Sequence, residues 1–145
     1  MPVIARSFVL IVAAAAALLA DTHAQVVDLF ASMTSKLSED NGAGFMAGFD
    51  KNMPDFSRLQ GYIDALISQA VVSSSIDPVK DEGDDSKRSV DLDWILQIRS
   101  REASGPLIER HETVHAELVK QKKGWRIVSI APLNFFEPAK FSQSK

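Results

Sequence analysis

Lys122-Lys123-Gly124-Trp125-Arg126-Ile127-Val128-Ser129-Ile130-Ala131-Pro132-Leu133-Asn134-Phe135-Phe136 closes the last of three alternating apolar and polar runs within residues 90–136. The first of these runs, residues 89–100, sets Val90, Leu92, Trp94, Leu96 and Ile98 on one side and Asp91, Asp93, Gln97 and Arg99 on the other. A period of two is what a strand with one buried face requires. Turn residues fill 101–106, a long run covers 107–119, and Gln121-Lys122-Lys123-Gly124 leads into the third run from Trp125 to Ala131. Two hairpins in succession make an antiparallel meander.

The hairpins share their middle strand, so one register must satisfy both neighbours. Placing Val114 opposite Leu92 and Ala116 opposite Val90 brings Ile108 opposite Ile98, and the same Val114 and Ala116 are expected to meet Ile130 and Val128. This register also sets Arg110 beside Leu96 and Glu112 beside Trp94. Two charged side chains are thereby aimed at the apolar face.

Helical spacing dominates before residue 71. Val26, Val27, Leu29, Phe30, Met33 and Leu37 form the stripe of a first amphipathic helix over 26–37. A short piece between Gly44 and Pro54 puts Phe45, Met46 and Phe49 on one face of two helical turns. A third helix is predicted over 54–70, with Pro54 in its first turn and a stripe of Phe56, Leu59, Tyr62, Ile63, Leu66 and Ile67. Val72, Ser74 and Ile76 then alternate in a first strand that ends in an acidic turn. Helices first and strands second indicate an α+β domain, its N-terminal helices packed on a strongly curved antiparallel sheet.

Residues 1–24 read as a cleavable export signal: Arg6 near the start, a nearly all-apolar stretch from 7 to 20, and Thr22-His23-Ala24 before Gln25. A membrane anchor is the competing reading, but a span needs about 20 apolar residues and this run is shorter. The alanine-rich signal is of bacterial type, and the expected location is periplasmic or secreted, with membrane contact only during export. The domain then occupies 25–137, with a flexible tail at 138–145. The chain has no cysteine, so disulfides and thiolate metal sites are excluded. The net charge of −3 selects no partner class, and basic residues cluster only at Lys120, Lys122 and Lys123 on a hairpin tip. Nucleic-acid binding calls for a broader basic face with aromatic residues between the charges, and it is not expected.

Two patterns invite a metal. Asp77, Asp81, Glu82, Asp84 and Asp85 offer oxygen ligands without the alternating spacing of a calcium loop, which favours a solvated hairpin tip. His111-Glu112-Thr113-Val114-His115 fits the H-E-x-x-H zinc pattern, which needs a helix to bring its histidines together. A helix here has its own support, with Ser104 as cap, Pro106 as start and Gly124 as stop. In a strand the two histidines stand about 13 Å apart, too far to share one ion. The register argument favours the strand, so a zinc peptidase built on His111 and His115 is a remote reading and no metal or cofactor is expected.

The order of helices followed by a twisted meander, ending in Lys123-Gly124-Trp125-Arg126-Ile127-Val128, resembles the NTF2-like superfamily of cone-shaped α+β domains, including its SnoaL-like and cystatin-like members. The likeness spans about residues 26–136. It implies a cone that often encloses a pocket, here lined by Phe49, Tyr62, Trp94, Arg110 and Glu112. Enzymes of this shape place an acid or base in the cone, for which Asp50, Tyr62, Arg110 and Glu112 are the candidates, although no motif assigns any of them. The resemblance also implies a choice between two roles. One is a binding domain that takes a small hydrophobic molecule or a partner protein in or at the open end of its cone-shaped pocket, with homodimerisation through the outer sheet face. The other is an acid/base isomerase, dehydratase or cyclase.

Overall fold

The computed structural model describes residues 2–102 and 105–141, with side chains described from residue 20 onward. Most of the leader-like segment's side chains, Ser104 and residues 142–145 of the expected tail thus lie outside the described residues. Helix α1 runs unbroken over Pro2–Ser38, so the apolar leader-like run and the amphipathic stretch share one helical axis. Its buried apolar side chains, Val26, Phe30, Met33 and Leu37, recur at helical spacing and lie against the sheet.

Helix α2 is shorter than the spacing predicts, covering only Gly42–Met46, with the Asn41 side chain accepting from the Gly44 N–H at 2.8 Å. Backbone pairing ends it. Ile127 N–H donates to the Gly48 carbonyl at 2.9 Å and its own carbonyl accepts from Asp50 N–H at 2.8 Å, which draws Phe49 out of the helix and into a bridge. Helix α3 spans Phe56–Gln69, starting two residues later than expected because Asp55 adopts a left-handed φ of 66°. Pro54 therefore precedes the first turn. Leu59, Ile63 and Leu66 are its buried stripe, while Phe56 and Ile67 are half-buried.

Strands β1 (Ala70–Gly83), β2 (Lys87–Ser100), β3 (Leu107–Gln121) and β4 (Gly124–Ala131) form one antiparallel sheet in sequence order. The β2–β3 register is the expected one, with Leu92 opposite Val114, Val90 opposite Ala116 and Ile98 opposite Ile108. The β3–β4 register is not. Ala116 faces Ile130 rather than Val128, and Val114 lies beyond the end of the pairing. The cause is a bulge between Glu117 and Leu118, where Glu117 faces Ser129 and Leu118 faces Ile127, leaving Val128 as the extra residue. Side-chain parity flips there, so Ile127 and Ile130 both point into the core although they are an odd number of positions apart. Gly83 and Gly124, with φ of 135° and 116°, sit at the two tight hairpin turns, a backbone conformation that a Cβ disfavours.

The chain does not continue as a strand past Ala131. A cis Ala131–Pro132 bond and a 3-10 turn over Leu133–Phe136 fold it back, and Phe135 and Phe136 are fully buried. The next residues dock as well. Gln69 brackets Ala139, its Nε2 donating to the Ala139 carbonyl at 3.0 Å and its Oε1 accepting from the Ala139 N–H at 2.5 Å. Ala139 is buried and Phe141 half-buried, so the part of the expected flexible tail that the structure describes is fastened to the core.

Candidate functional site

The concave face of the sheet is where the fold would hold a ligand, and aromatic rings occupy it. Trp94, wholly buried, stands at the centre, with ring centroids 6.3 Å from Phe30, 6.4 Å from Phe45, 6.0 Å from Phe135 and 5.1 Å from Phe136. Phe49 extends the cluster through Phe45 at 5.5 Å. Edge-to-face and tilted packing at these separations is attractive in itself and leaves the rings in van der Waals contact. Among the described residues, Trp94 Nε1 and Ser74 Oγ are the buried side-chain polar atoms without a hydrogen-bond partner.

Topology explains why the face is filled. Strand β4 ends opposite His115, so the half of β3 from Leu107 to Val114 is paired with β2 on one side and, among the described residues, has no strand on the other. The C-terminal turn takes that place, and Arg110 fixes it. Its Nη1 donates to the carbonyls of Phe135 at 2.8 Å and Glu137 at 2.7 Å. Desolvation lowers the pKa of this guanidinium from its ordinary value, against the raising influence of Glu137 and then Glu112. Arg110 is thus half-buried at the edge of the apolar face, whereas Glu112, though opposite Trp94 as expected, is exposed. The expected approach of both charges to the apolar interior therefore holds for Arg110 alone. An ionised carboxylate gains by staying in water when no buried cation needs it.

The remaining candidates have other partners. The Tyr62 hydroxyl accepts from Arg58 Nε at 3.1 Å, and the guanidinium carbon lies 5.4 Å from the Tyr62 ring centroid. This contact raises the Arg58 pKa. Asp50 accepts from the Asn52 N–H at 2.8 Å and from Gln121 Nε2 at 2.6 Å, and both bonds, the backbone one foremost, lower its pKa. It borders a surface groove of about 390 Å³ with Lys51, Gln121, Lys123 and Arg126. Asp50 and Glu112 are thus bound into, or exposed on, separate surfaces, and a depressed carboxylate such as Asp50 is a poor general base.

The His111–His115 segment is a strand, with both imidazoles exposed on the outer face. His111 Nε2 meets Asp93 at 2.6 Å; His115 meets Asp91 through Nδ1 at 2.6 Å and Glu117 through Nε2 at 2.5 Å. A neutral imidazole carries one N–H, so two carboxylate partners call for the doubly protonated ring. The His115 pKa is accordingly raised, above all by its hydrogen bond to Asp91. Among the described residues no group of three or more His, Asp or Glu side chains is arranged to hold a metal ion.

Two features escaped the sequence reading. One is the buried pair Arg88–Asp81, with Nε and Oδ1 2.5 Å apart and both side chains under a tenth exposed, to which His23 adds a 2.5 Å contact at the other carboxylate oxygen. An acidic turn gives no sign that one of its carboxylates is buried. The other is the Gln25–Trp125 contact, whose partners are distant in sequence.

No family model and no curated protein matches this sequence. Solved structures do match in shape. An NTF2-like superfamily protein from Salmonella enterica superposes with a TM-score of 0.64 at 12% identity, covering 84% of this chain and 94% of its own. A conserved protein from Planctomyces limnophilus reaches 0.67 at 6% identity, over 74% and 91%. A protein of unknown function with a cystatin-like fold from Nostoc punctiforme gives 0.57 at 12%, over 74% and 86%. Helices on a curved four-stranded meander, together with these superpositions, establish that this chain has the NTF2-like fold.

Proposed function

We propose that this chain is an exported, non-catalytic binding domain that recognises a partner protein through the outer face of its sheet. The observation that carries this reading is the interior itself: six aromatic rings centred on Trp94 take up the space where a relative of this shape would admit a small molecule. The acid/base alternative needs converging polar groups beside an open cavity. Here Arg110 is spent on backbone carbonyls and Asp50 on a turn.

The outer face has the composition of a recognition surface. Val71, Arg99 and Leu107 align across β1, β2 and β3, and both apolar members of the row are exposed, at 45% and 48%. Toward the other end the rows turn polar, through Gln97 with Glu109 and Ile95 with His111, to Asp91 with His115. A row with two exposed apolar members around Arg99, beside an ordered charged ladder, suits a protein surface better than a small molecule.

Native mass spectrometry of the exported chain, run beside Leu107→Asp, tests this. A specific protein complex, a second copy included, that Leu107→Asp abolishes without loss of circular dichroism is the expected result. An organic mass retained through buffer exchange by both proteins overturns the reading in favour of a ligand inside the cone.

A further inference from the structure

Gln25 is the residue that follows the signal-like segment, and it is held in an unusual way. Its Oε1 accepts from Trp125 Nε1 at 3.0 Å and from the Lys120 ammonium at 3.4 Å. The Lys120 Nζ also lies 5.9 Å from the Trp125 ring centroid, which ties the two donors to each other. The next residue, Val26, is 1% exposed and opens the buried stripe of α1. Gln25 itself is exposed, but its side chain is tied to the β3–β4 hairpin and its neighbour Val26 to the core.

We propose that Gln25, once freed as the N-terminal residue, cyclises to pyroglutamate, with Trp125 and Lys120 as the groups that promote the closure. The proposal rests on the export reading, since it needs cleavage after Ala24. The freed α-amine attacks the side-chain Cδ, the bond from the amine nitrogen to Cδ forms, the bond from Cδ to Nε2 breaks, and Nε2 departs as ammonia with the proton given up by the amine. Charge gathers on Oε1 along the way. That is the atom to which the indole N–H and the ammonium already point, as donors to a developing oxyanion do. Nucleophile and electrophile belong to one residue, so the step is unimolecular. Among the described residues no hydrogen bond holds Nε2, the leaving group.

Closure also suits the product. A free α-ammonium at the start of α1 would oppose the helix dipole and stand near Lys120, whereas the lactam nitrogen is neutral. The lactam keeps the same carbonyl oxygen, so it retains an acceptor for the Trp125 and Lys120 donors. The consequence is a mature chain with a blocked N-terminus locked onto the β3–β4 hairpin.

Intact mass measurement and N-terminal peptide mapping of the full-length chain, expressed with its signal and recovered after export, test the proposal. The expected species begins at residue 25 and is lighter by one ammonia. Lys120→Met, at an exposed hairpin position, and Trp125→Phe should each slow the conversion about tenfold, less than an enzyme's oxyanion donor contributes because this site is open to water. A chain that retains residues 1–24, or begins elsewhere, overturns the export reading and the cyclisation with it. A chain beginning at Gln25 whose full mass persists on incubation overturns the cyclisation alone. Wild-type rates in a folded Lys120→Met overturn the role of that ammonium.

Discussion

Trp94 and Phe136 meet edge to face, with ring centroids 5.1 Å apart and planes at 80°, joining the middle of β2 to the far end of the chain. Neither has a water-exposed edge. Trp94→Ala should lower unfolding free energy by about 3–5 kcal/mol, the usual cost of a large aromatic deleted from a core. The same variant should take up a small apolar probe that the wild type refuses. Urea denaturation and probe binding check the two effects, and a wild type that binds the probe equally well would mean that the cone is not filled.

Arg110 and Glu112 are two residues apart on β3, yet their substitution should differ sharply. Arg110→Ala removes two charge-assisted bonds to buried-segment carbonyls, each of a kind worth about 1.5–3 kcal/mol. Glu112→Gln changes an exposed side chain and should stay within about 0.5 kcal/mol of wild type. Hydrogen exchange should locate the Arg110→Ala loss in residues 132–141. A large effect of Glu112→Gln with wild-type behaviour of Arg110→Ala would reverse the assignment.

His115 gives the outer face a pH dependence of defined sign. Its folded pKa stands above the ordinary value of 6.5, chiefly through Asp91. The bridge to Asp91 and Glu117 therefore contributes fully below pH 6.5 and is lost as the pH rises through the raised folded value. Stability measured across this window should fall with pH in the wild type and flatten in His115→Gln. An unchanged slope in the variant would assign the dependence to another group.

Asp81, near the end of β1, and Asp84, in the turn that follows, should respond differently. Asp81→Asn leaves the Arg88 guanidinium buried without its carboxylate, a loss of about 3–5 kcal/mol by analogy with broken buried pairs. Asp84 is exposed, and the N–H groups of Ser86 and Lys87 with the Ser86 hydroxyl lower its pKa from 3.8 to about 2. Its contribution is present above pH 3.8 and disappears as the pH falls toward 2. Thermal denaturation of Asp84→Asn should match the wild type near pH 2 and lie below it at neutral pH.

What the sequence determined by itself was whatever repeats locally. The alternation of Val90, Leu92, Trp94, Leu96 and Ile98 specified a half-buried strand, and one shared partner set the β2–β3 register, because a slip of one residue inverts every side chain. The stripe from Val26 to Leu37 likewise declared a helix and its buried face. Tertiary structure decided what depends on pairing across distance. The bulge at Glu117 and Leu118 answers to the need to bury both Ile127 and Ile130, which no short-range period encodes. The brevity of α2 follows from the backbone of Ile127 capturing Gly48 and Asp50. The use of Arg110 turned on the early end of β4, which left the outer edge of half of β3 for the C-terminal turn to cover and a carbonyl pair for the guanidinium to hold. Charged side chains choose among partners by desolvation and geometry, and both are properties of the folded chain alone.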